Sequence, residues 1–386
     1  MIHVSAPGKL FIAGEWAILE VGSPGIVAAV NRRVHCEISE YKQEEAWIYP
    51  KITITIDDFN IANKQAKFDG KNLSFFEDLT GEEQQFLRFS KSAIEIAIRY
   101  IHEKLGKAKN FNIRTWGDKT YIAIESIDAK GIFDNKKVGF GSSAAATVAI
   151  ISAILAFHGF DIKKMKQEIY KLSTIAHYYA QGKVGSAFDI AASTYGGVFV
   201  YRRFNPNWLL EKSLDEIKDI IESEWSSLYI ESIKNPEDLS LIVAWTKESS
   251  KTSEMINQMN TFKEKNPTKY NAMIEEIVEV VEQLIEAWKI KNREKILELI
   301  RKNQSLLQEL TRISGVSIET KDLKKLAEIA NQFGAAGKLS GAGGGDCGIA
   351  LCFDERVSEN VKIAWQQNGL YPLDVSIDYD GVKIEK

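Results

Sequence analysis

A glycine-serine loop running straight into an unbroken apolar stretch is the strongest constraint on how this chain can fold. Residues 138–146 read VGFGSSAAA and continue as TVAIISAIL to residue 155. A segment apolar on every side is a helix buried in a core, which fixes the glycines in front of it against that core. Glycine lets the backbone approach a ligand closely, and the first-turn N–H groups, which have no acceptor inside the helix, point at it. Such an end binds anions, phosphate above all. No Lys-Ser/Thr pair follows the second glycine at P-loop spacing, so the cradle differs from that of the common NTPases. Taken alone, Gly139 to Ser143 equally describes a tight turn in which Ser142 or Ser143 caps the helix.

The loop does not stand alone. Residues 6–19 read APGKLFIAGEWAIL, residues 180–191 read AQGKVGSAFDIA, and residues 339–346 read LSGAGGGD. In order and content the chain resembles the GHMP small-molecule kinases, whose three signature motifs correspond to residues 7–15, 139–146 and 340–345. The resemblance spans essentially the whole chain. Within that superfamily it is most similar to the phosphomevalonate kinases, on residues 8–20, 180–191 and 340–348. The run 180–189 discriminates most, since mevalonate kinases and diphosphomevalonate decarboxylases carry other residues there. VAWTK at 243–247, followed by Ser249, Ser250 and Ser253, also looks like this branch.

The resemblance implies an α+β chain of two domains with the active site in the cleft between them. Residues 1–205 would be an S5-like nucleotide-binding domain and residues 206–386 a ferredoxin-like GHMP kinase domain with added helices. The implied activity is ATP-dependent phosphorylation of (R)-5-phosphomevalonate to 5-diphosphomevalonate, with Mg²⁺, in the mevalonate pathway to isoprenoids. The alternatives are another small acceptor such as mevalonate, or a ligand sensor that has lost catalysis. A sensor would be expected to lack Lys9, Asp189 or the glycine-serine cradle, and all are present.

Phosphoryl transfer needs neutralised phosphates and in-line placement. By resemblance, Gly139, Phe140, Gly141, Ser142, Ser143 and Ala144 hold the nucleotide phosphates, and Ser143 also contacts Mg²⁺. Ser340, Gly341, Ala342, Gly343 and Gly344 form the third motif, beside the transferred phosphate and the acceptor; as a bare glycine run they would be a flexible hairpin. Lys9 and Asp189 are the implied catalytic pair. Asp189 is either a base or a group that orients Lys9, and its structural alternative is a helix N-cap before Ile190. Lys183, Ser186, Lys247 and Ser249 are candidates for the acceptor's own phosphate, the lysines being otherwise solvated. Glu15 is either a helix-start residue or a contact to the mevalonyl part. Mevalonate kinase-like members carry a magnesium-binding glutamate where this chain has Tyr178, and a phenol is a poor ligand for a hard cation. Magnesium is then held by Ser143, phosphates and water, or by a carboxylate elsewhere.

Composition excludes other classes. The 386 residues are too many for one small core, and 45% hydrophobic with 26% charged is an ordinary globular balance. A net charge of −4 gives no field that would gather nucleic acid or an acidic membrane. Cys36, Cys347 and Cys352 form no CxxC pair, the histidines form no metal-ligand cluster, and no apolar run approaches a membrane span or a signal peptide. These features lead to the expectation of a reduced, cytoplasmic protein without nucleic-acid or membrane partners. They leave the oligomeric state open.

Periodicity predicts strands over 4–13 (interrupted at Pro7-Gly8), 26–38, 47–56, 111–127, 196–202 (after a glycine turn), 241–245, 375–377 and 382–384, and a glycine-rich turn next to a strand over 340–353. It predicts helices over 82–105, from the second motif to 157, and over 163–179, 250–263, 270–291, 293–314 and 321–333. The later helices lack sustained a/d heptads, so packing onto a sheet is expected rather than a coiled coil.

Overall fold

The computed structural model describes residues 1–41, 50–123, 138–248 and 252–386. Strands β1 (Ile2–Ala13) and β2 (Pro24–Glu40) pair antiparallel near the centre of the first sheet. Parts of both are apolar at consecutive positions because both faces are covered. Phe11, Val27 and Ala29 enter one core, while Leu10, Ile12, Ile26, Ala28 and Val30 enter another. The register shifts between Pro7 and Gly8. Proline has no N–H for the ladder, so the expected interruption is a bulge within one continuous strand.

The first sheet continues through β3 (Lys51–Ile56), β4 (Ile61–Phe68), β5 (Leu73–Phe75) and β6 (Phe111–Gly117). It is completed on the other side by β7 (Val198–Arg202) and β8 (Tyr229–Ile233). Outward from β2 the order is β6, β3, β4, β5; β7 pairs with the start of β2 and carries β8. Helices α1 (Gly81–Leu105), α2 (Ser142–Phe157), α3 (Lys166–Ala180) and the short α4 (Phe188–Tyr195) pack on this sheet and on one another. The ends of α1 follow from its sequence: Thr80 and Glu83 form a capping box, and Gly106 closes the helix at φ 74°. The all-round apolar α2 is enclosed by β1, β2, α1 and α3.

After β7 the chain forms α5 (Pro206–Leu210) and α6 (Ile217–Glu222), then adds β8 to the first sheet before the second sheet begins. Residue 205 thus lies within the stretch that builds the first sheet. The second sheet contains β9 (Ser240–Trp245), β10 (Ala336–Leu339), β11 (Cys347–Cys352) and β12 (Tyr371–Leu373), in the order β10-β11-β9-β12. Its helices are α7 (Thr252–Lys265), α8 (Pro267–Lys289), α9 (Arg293–Ser314), α10 (Lys321–Gln332) and α11 (Glu355–Gln367). Helix α8 packs on α9 and reaches β2, while α9 reaches β10. Ile277, Val281, Leu284 and Leu307 therefore share a core with Leu10, Ile12 and Leu339. Each such aliphatic contributes about 1.5–3 kcal/mol on burial. This shared core fixes the second sheet against the first and sets the third motif beside β1.

The strand expected at 375–377 is displaced. Residues 371–373 pair with the edge of β9, where Pro372 costs no ladder bond, and the chain then crosses back to the first sheet. Asn31 N donates to Ser376 O at 3.0 Å and Asp378 N to Ala29 O at 3.0 Å, leaving Ile377 only an isolated bridge to Val30. The terminal strand is β13 (Lys383–Ile384), paired with β1. Over 340–353 the expected glycine-rich turn is residues 340–346 and the strand beside it is β11. The strand expected over 111–127 ends at Gly117; its residues 124–127 lie outside the described residues, as do 47–49 of the expected strand over 47–56 and 250–251 of the expected helix over 250–263. The sequence pattern does not announce β4, β8 or α4. All three cysteines are free and buried, and no described helix is long and apolar enough to cross a membrane.

Gly337 in β10 lies against α10. A Cβ there would stand 2.7 Å from both Ala327 Cα and Ala327 O. Gly337→Ala should force the helix off the sheet and lower stability by about 1–3 kcal/mol. Denaturant unfolding measures this; an unchanged midpoint would mean that the helix is not seated there.

Candidate active site

Lys9 follows the β1 bulge. Its amide donates to Phe140 O at 2.9 Å, and its amine donates to Gly139 O at 3.0 Å. The amine lies 4.0 Å from the point a Cβ on Gly341 would occupy. The three glycine motifs therefore meet at one side chain. At Gly139 a Cβ would come within 2.7 Å of the Asp346 carboxylate. At Gly141 it would lie 3.1 Å from Lys9 Cγ, and φ is 74° there, which favours glycine. Gly141 is the N-cap of α2 and supplies no side-chain cap. The Ser142 and Ser143 amides accordingly open α2 without intrahelical acceptors. Phe140 buries its ring, and the Ala144 amide turns back to Gly141 O at 3.1 Å.

Helix α4 also starts at this point without a side-chain cap, from Ala187 at φ 64°. Asp189 lies in its first turn, with Cβ 3.8 Å from the position of a Gly141 Cβ, and Oδ1 accepts from Ile190 N at 3.0 Å. Asp189 is thus inside the helix and is not its N-cap. Ser143 Oγ is 3.1 Å from Nε2 of the buried His177, a residue that motif reading passes over. Burial holds the His177 imidazole below its ordinary value; Asp189 opposes the fall and Arg88 adds to it.

The third motif locks onto β1. Ser340 Oγ donates to Phe11 O at 2.9 Å and accepts from Phe11 N at 3.0 Å, so its hydroxyl is engaged with a strand. Gly343 and Gly344 press against Ile318 O, to which Gly344 N donates at 2.8 Å, whereas Gly341 and Ala342 line a cavity. Lys338, in β10, is fully buried and ion-paired to Glu15 Oε1; its Nζ also donates to Leu339 O at 2.6 Å. Burial pushes the Glu15 carboxyl up and the Lys338 ammonium down, and their mutual attraction opposes both shifts. Glu15 does not start a helix: the short turn after it is capped at Trp16, without a side-chain bond.

The cavity has a volume of about 220 Å³. Phe11, Trp16 and Ile256 form part of its apolar wall, with Lys9, Asp189 and His177 at its polar end. Ser186, Tyr178 and Glu15 also line it. Lys183 is exposed, next to the lining residues Val184 and Gly185, with its amine 5.3 Å over the Tyr179 ring. Lys247 turns its amine toward the Tyr371 ring, 4.2 Å from the centroid, and is not among the lining residues. Ser249 lies outside the described residues.

The model of the GHMP kinases N-terminal domain matches residues 92–197, and that of the GHMP kinases C-terminal domain matches residues 273–370. Phosphomevalonate kinase of Saccharolobus solfataricus is 30% identical, over 100% of this chain and 99% of that protein. The chain belongs to the GHMP kinase family. Phosphomevalonate kinase of a Streptomyces strain is 29% identical, over 98% of this chain and 97% of that one. The structure of Streptococcus pneumoniae phosphomevalonate kinase in complex with phosphomevalonate and AMPPNP matches with a TM-score of 0.77 at 26% identity, covering 98% of this chain and 100% of that chain.

The GHMP kinase site fits a magnesium ion that arrives with nucleotide phosphates. Among the described residues no group of three or more His, Cys, Asp and Glu side chains converges into a cage. Beside the α2 N-terminus and the loop before it stand instead the Ser143 hydroxyl and the side chains of Asp189 and Asp346. A few protein oxygens plus phosphates is a donor set that suits this hard cation.

Lys338→Met leaves the Glu15 carboxylate buried without its cation. The expected loss is about 3–5 kcal/mol in denaturant unfolding, with much of it recovered in the Glu15→Gln/Lys338→Met double variant. Additive losses would show that the two groups do not act as a pair.

Proposed function

We infer that the chain transfers the γ-phosphoryl group of ATP to the phosphate of (R)-5-phosphomevalonate, forming 5-diphosphomevalonate in the mevalonate pathway. The observation that carries this reading is the full-length likeness to phosphomevalonate kinases. The site supports it: Lys9 stands between an uncapped helix end and a cavity of about 220 Å³ that is mostly apolar-walled and polar at one end. The Ser142 and Ser143 amides receive the ATP phosphates, as unpaired donors at a helix N-terminus do. The acceptor enters the cavity with its carbon skeleton on the apolar wall and its phosphate toward Lys9. Lys183, beside the lining residues Val184 and Gly185, takes part of that phosphate's charge.

Both reacting groups are anionic, so the barrier is largely electrostatic. Lys9 neutralises charge between donor and acceptor phosphates, and its backbone and side-chain bonds to the second motif preset its position. A phosphate monoester has a second pKa near about 6 and is mostly deprotonated at neutral pH. A strong general base is therefore unnecessary, and Asp189 orients Lys9. Magnesium would be held by Ser143 and the phosphates, with Asp189 and Asp346 the carboxylates beside the same loop, and supplies charge neutralisation when bound. Small ionic substrates and free thiols fit a cytoplasmic setting.

A coupled ADP-release assay with Mg·ATP should show turnover on 5-phosphomevalonate and not on mevalonate, homoserine or galactose. Turnover on mevalonate alone would transfer the reading to the neighbouring branch. Lys9→Met should lower kcat by about a hundredfold or more with ATP affinity retained. Asp189→Asn should likewise cut turnover while nucleotide binding stays near normal; undiminished turnover would remove Asp189 from the mechanism.

A further inference from the structure

Phosphate binding by the α2 amides does not require the contact between Ser143 and His177. Hydroxyls inside helices commonly donate to the carbonyl four residues earlier. Thr147, one turn further along α2, does this, with Oγ1 donating to Ser143 O at 2.8 Å. For Ser143 the corresponding carbonyl belongs to Gly139, lies outside the helix, and accepts from Lys9 Nζ. The acceptor is supplied from another element. His177, in the last turn of α3, brings Nε2 to 3.1 Å from Ser143 Oγ. His177 is 4% exposed, and its ring stacks on Phe89 of α1, with centroids 4.7 Å apart and planes at 20°. Arg88, also on α1, covers Phe89, with the guanidinium carbon 4.6 Å from the ring centroid. Three helices thus fix the direction of one imidazole nitrogen.

We propose that His177 is a positioning residue for Ser143: Nε2 accepts the hydroxyl proton and turns the oxygen lone pairs toward the magnesium of the bound nucleotide. The proposal rests on the kinase reading above. A hydroxyl that ligates a hard cation must keep its lone pairs free and place its proton elsewhere. A neutral imidazole has one nitrogen that can take it, and the charged groups facing this ring are Asp189 and Arg88. Partners that orient a metal ligand from behind commonly change metal affinity by about tenfold or more when removed.

The test is calorimetric binding of AMPPNP across a magnesium series, for the wild type, Ser143→Ala, His177→Phe, His177→Gln and the Ser143→Ala/His177→Phe double variant, with thermal melts for each. Ser143→Ala and His177→Phe should each raise the magnesium concentration at half-saturation by about tenfold, and the double variant should be no worse than either. Affinity for metal-free AMPPNP should be unchanged. His177→Gln, which keeps an acceptor at that reach, should recover most of the loss. Additive shifts, an unshifted His177→Phe, an unshifted Ser143→Ala, or equal weakening with and without metal would overturn the proposal. If His177→Phe melts early, the Gln variant decides, and a full loss of magnesium dependence with a normal melt contradicts the idea. A wild type that binds no magnesium nucleotide would instead defeat the kinase reading itself.

Discussion

Lys9 is held by two bonds to adjacent carbonyls, one through its backbone and one through its side chain, and the rest of the site is arranged around that clasp. The β1 bulge turns the residue toward the second motif, and Gly8 leaves room for the approach, since a Cβ there would stand 2.7 Å from Phe140 O. Gly139 and Gly141 then let the loop pass close to Asp346 and Lys9. A cation in such a frame needs little reorganisation when two phosphates arrive, which is where preset electrostatics have most effect.

The clasp depends in turn on how the two sheets are joined. The Ser340 hydroxyl both donates to and accepts from the Phe11 backbone, and Lys338 reaches Glu15 from the strand just before the third motif. Burying an ion pair is a weak source of net stability, because desolvation offsets much of the attraction. Its effect here is one of register. With the partner missing, an isolated charge would be left inside the protein, so any seating of β10 that separates Lys338 from Glu15 is strongly disfavoured. The apolar core shared by α8, α9, β1 and β2 provides the bulk stabilisation for the same arrangement.

Much of this was legible in the chain because the constraints are local. Thr80 with Glu83, Asn292 and Thr320 cap the starts of α1, α9 and α10 near the positions that the periodicity predicts. Gly8, Gly139, Gly343 and Gly345 stand where a Cβ would collide, so the glycine spacing marked the site before any contact was known. What escaped was long-range or short. Lys338 meets Glu15 across 323 positions, and nothing near either residue names the other. His177 looks like any residue on an amphipathic helix until α1 and α2 close around it. Ser340 belongs to a substrate-binding motif by resemblance, yet its hydroxyl braces a strand. The eight-residue α4 is too short to show a helical period, and the segment 375–378 has apolar residues but serves as a crossing between sheets.

A crystal structure with magnesium, AMPPNP and 5-phosphomevalonate would test the central claim most directly. The account predicts nucleotide phosphates on the Ser142 and Ser143 amides, the acceptor in the cavity bounded by Phe11 and Ile256, and the Lys9 amine touching both the γ-phosphate and the acceptor phosphate. An acceptor bound outside that cavity, or a Lys9 amine away from both phosphates, would contradict it.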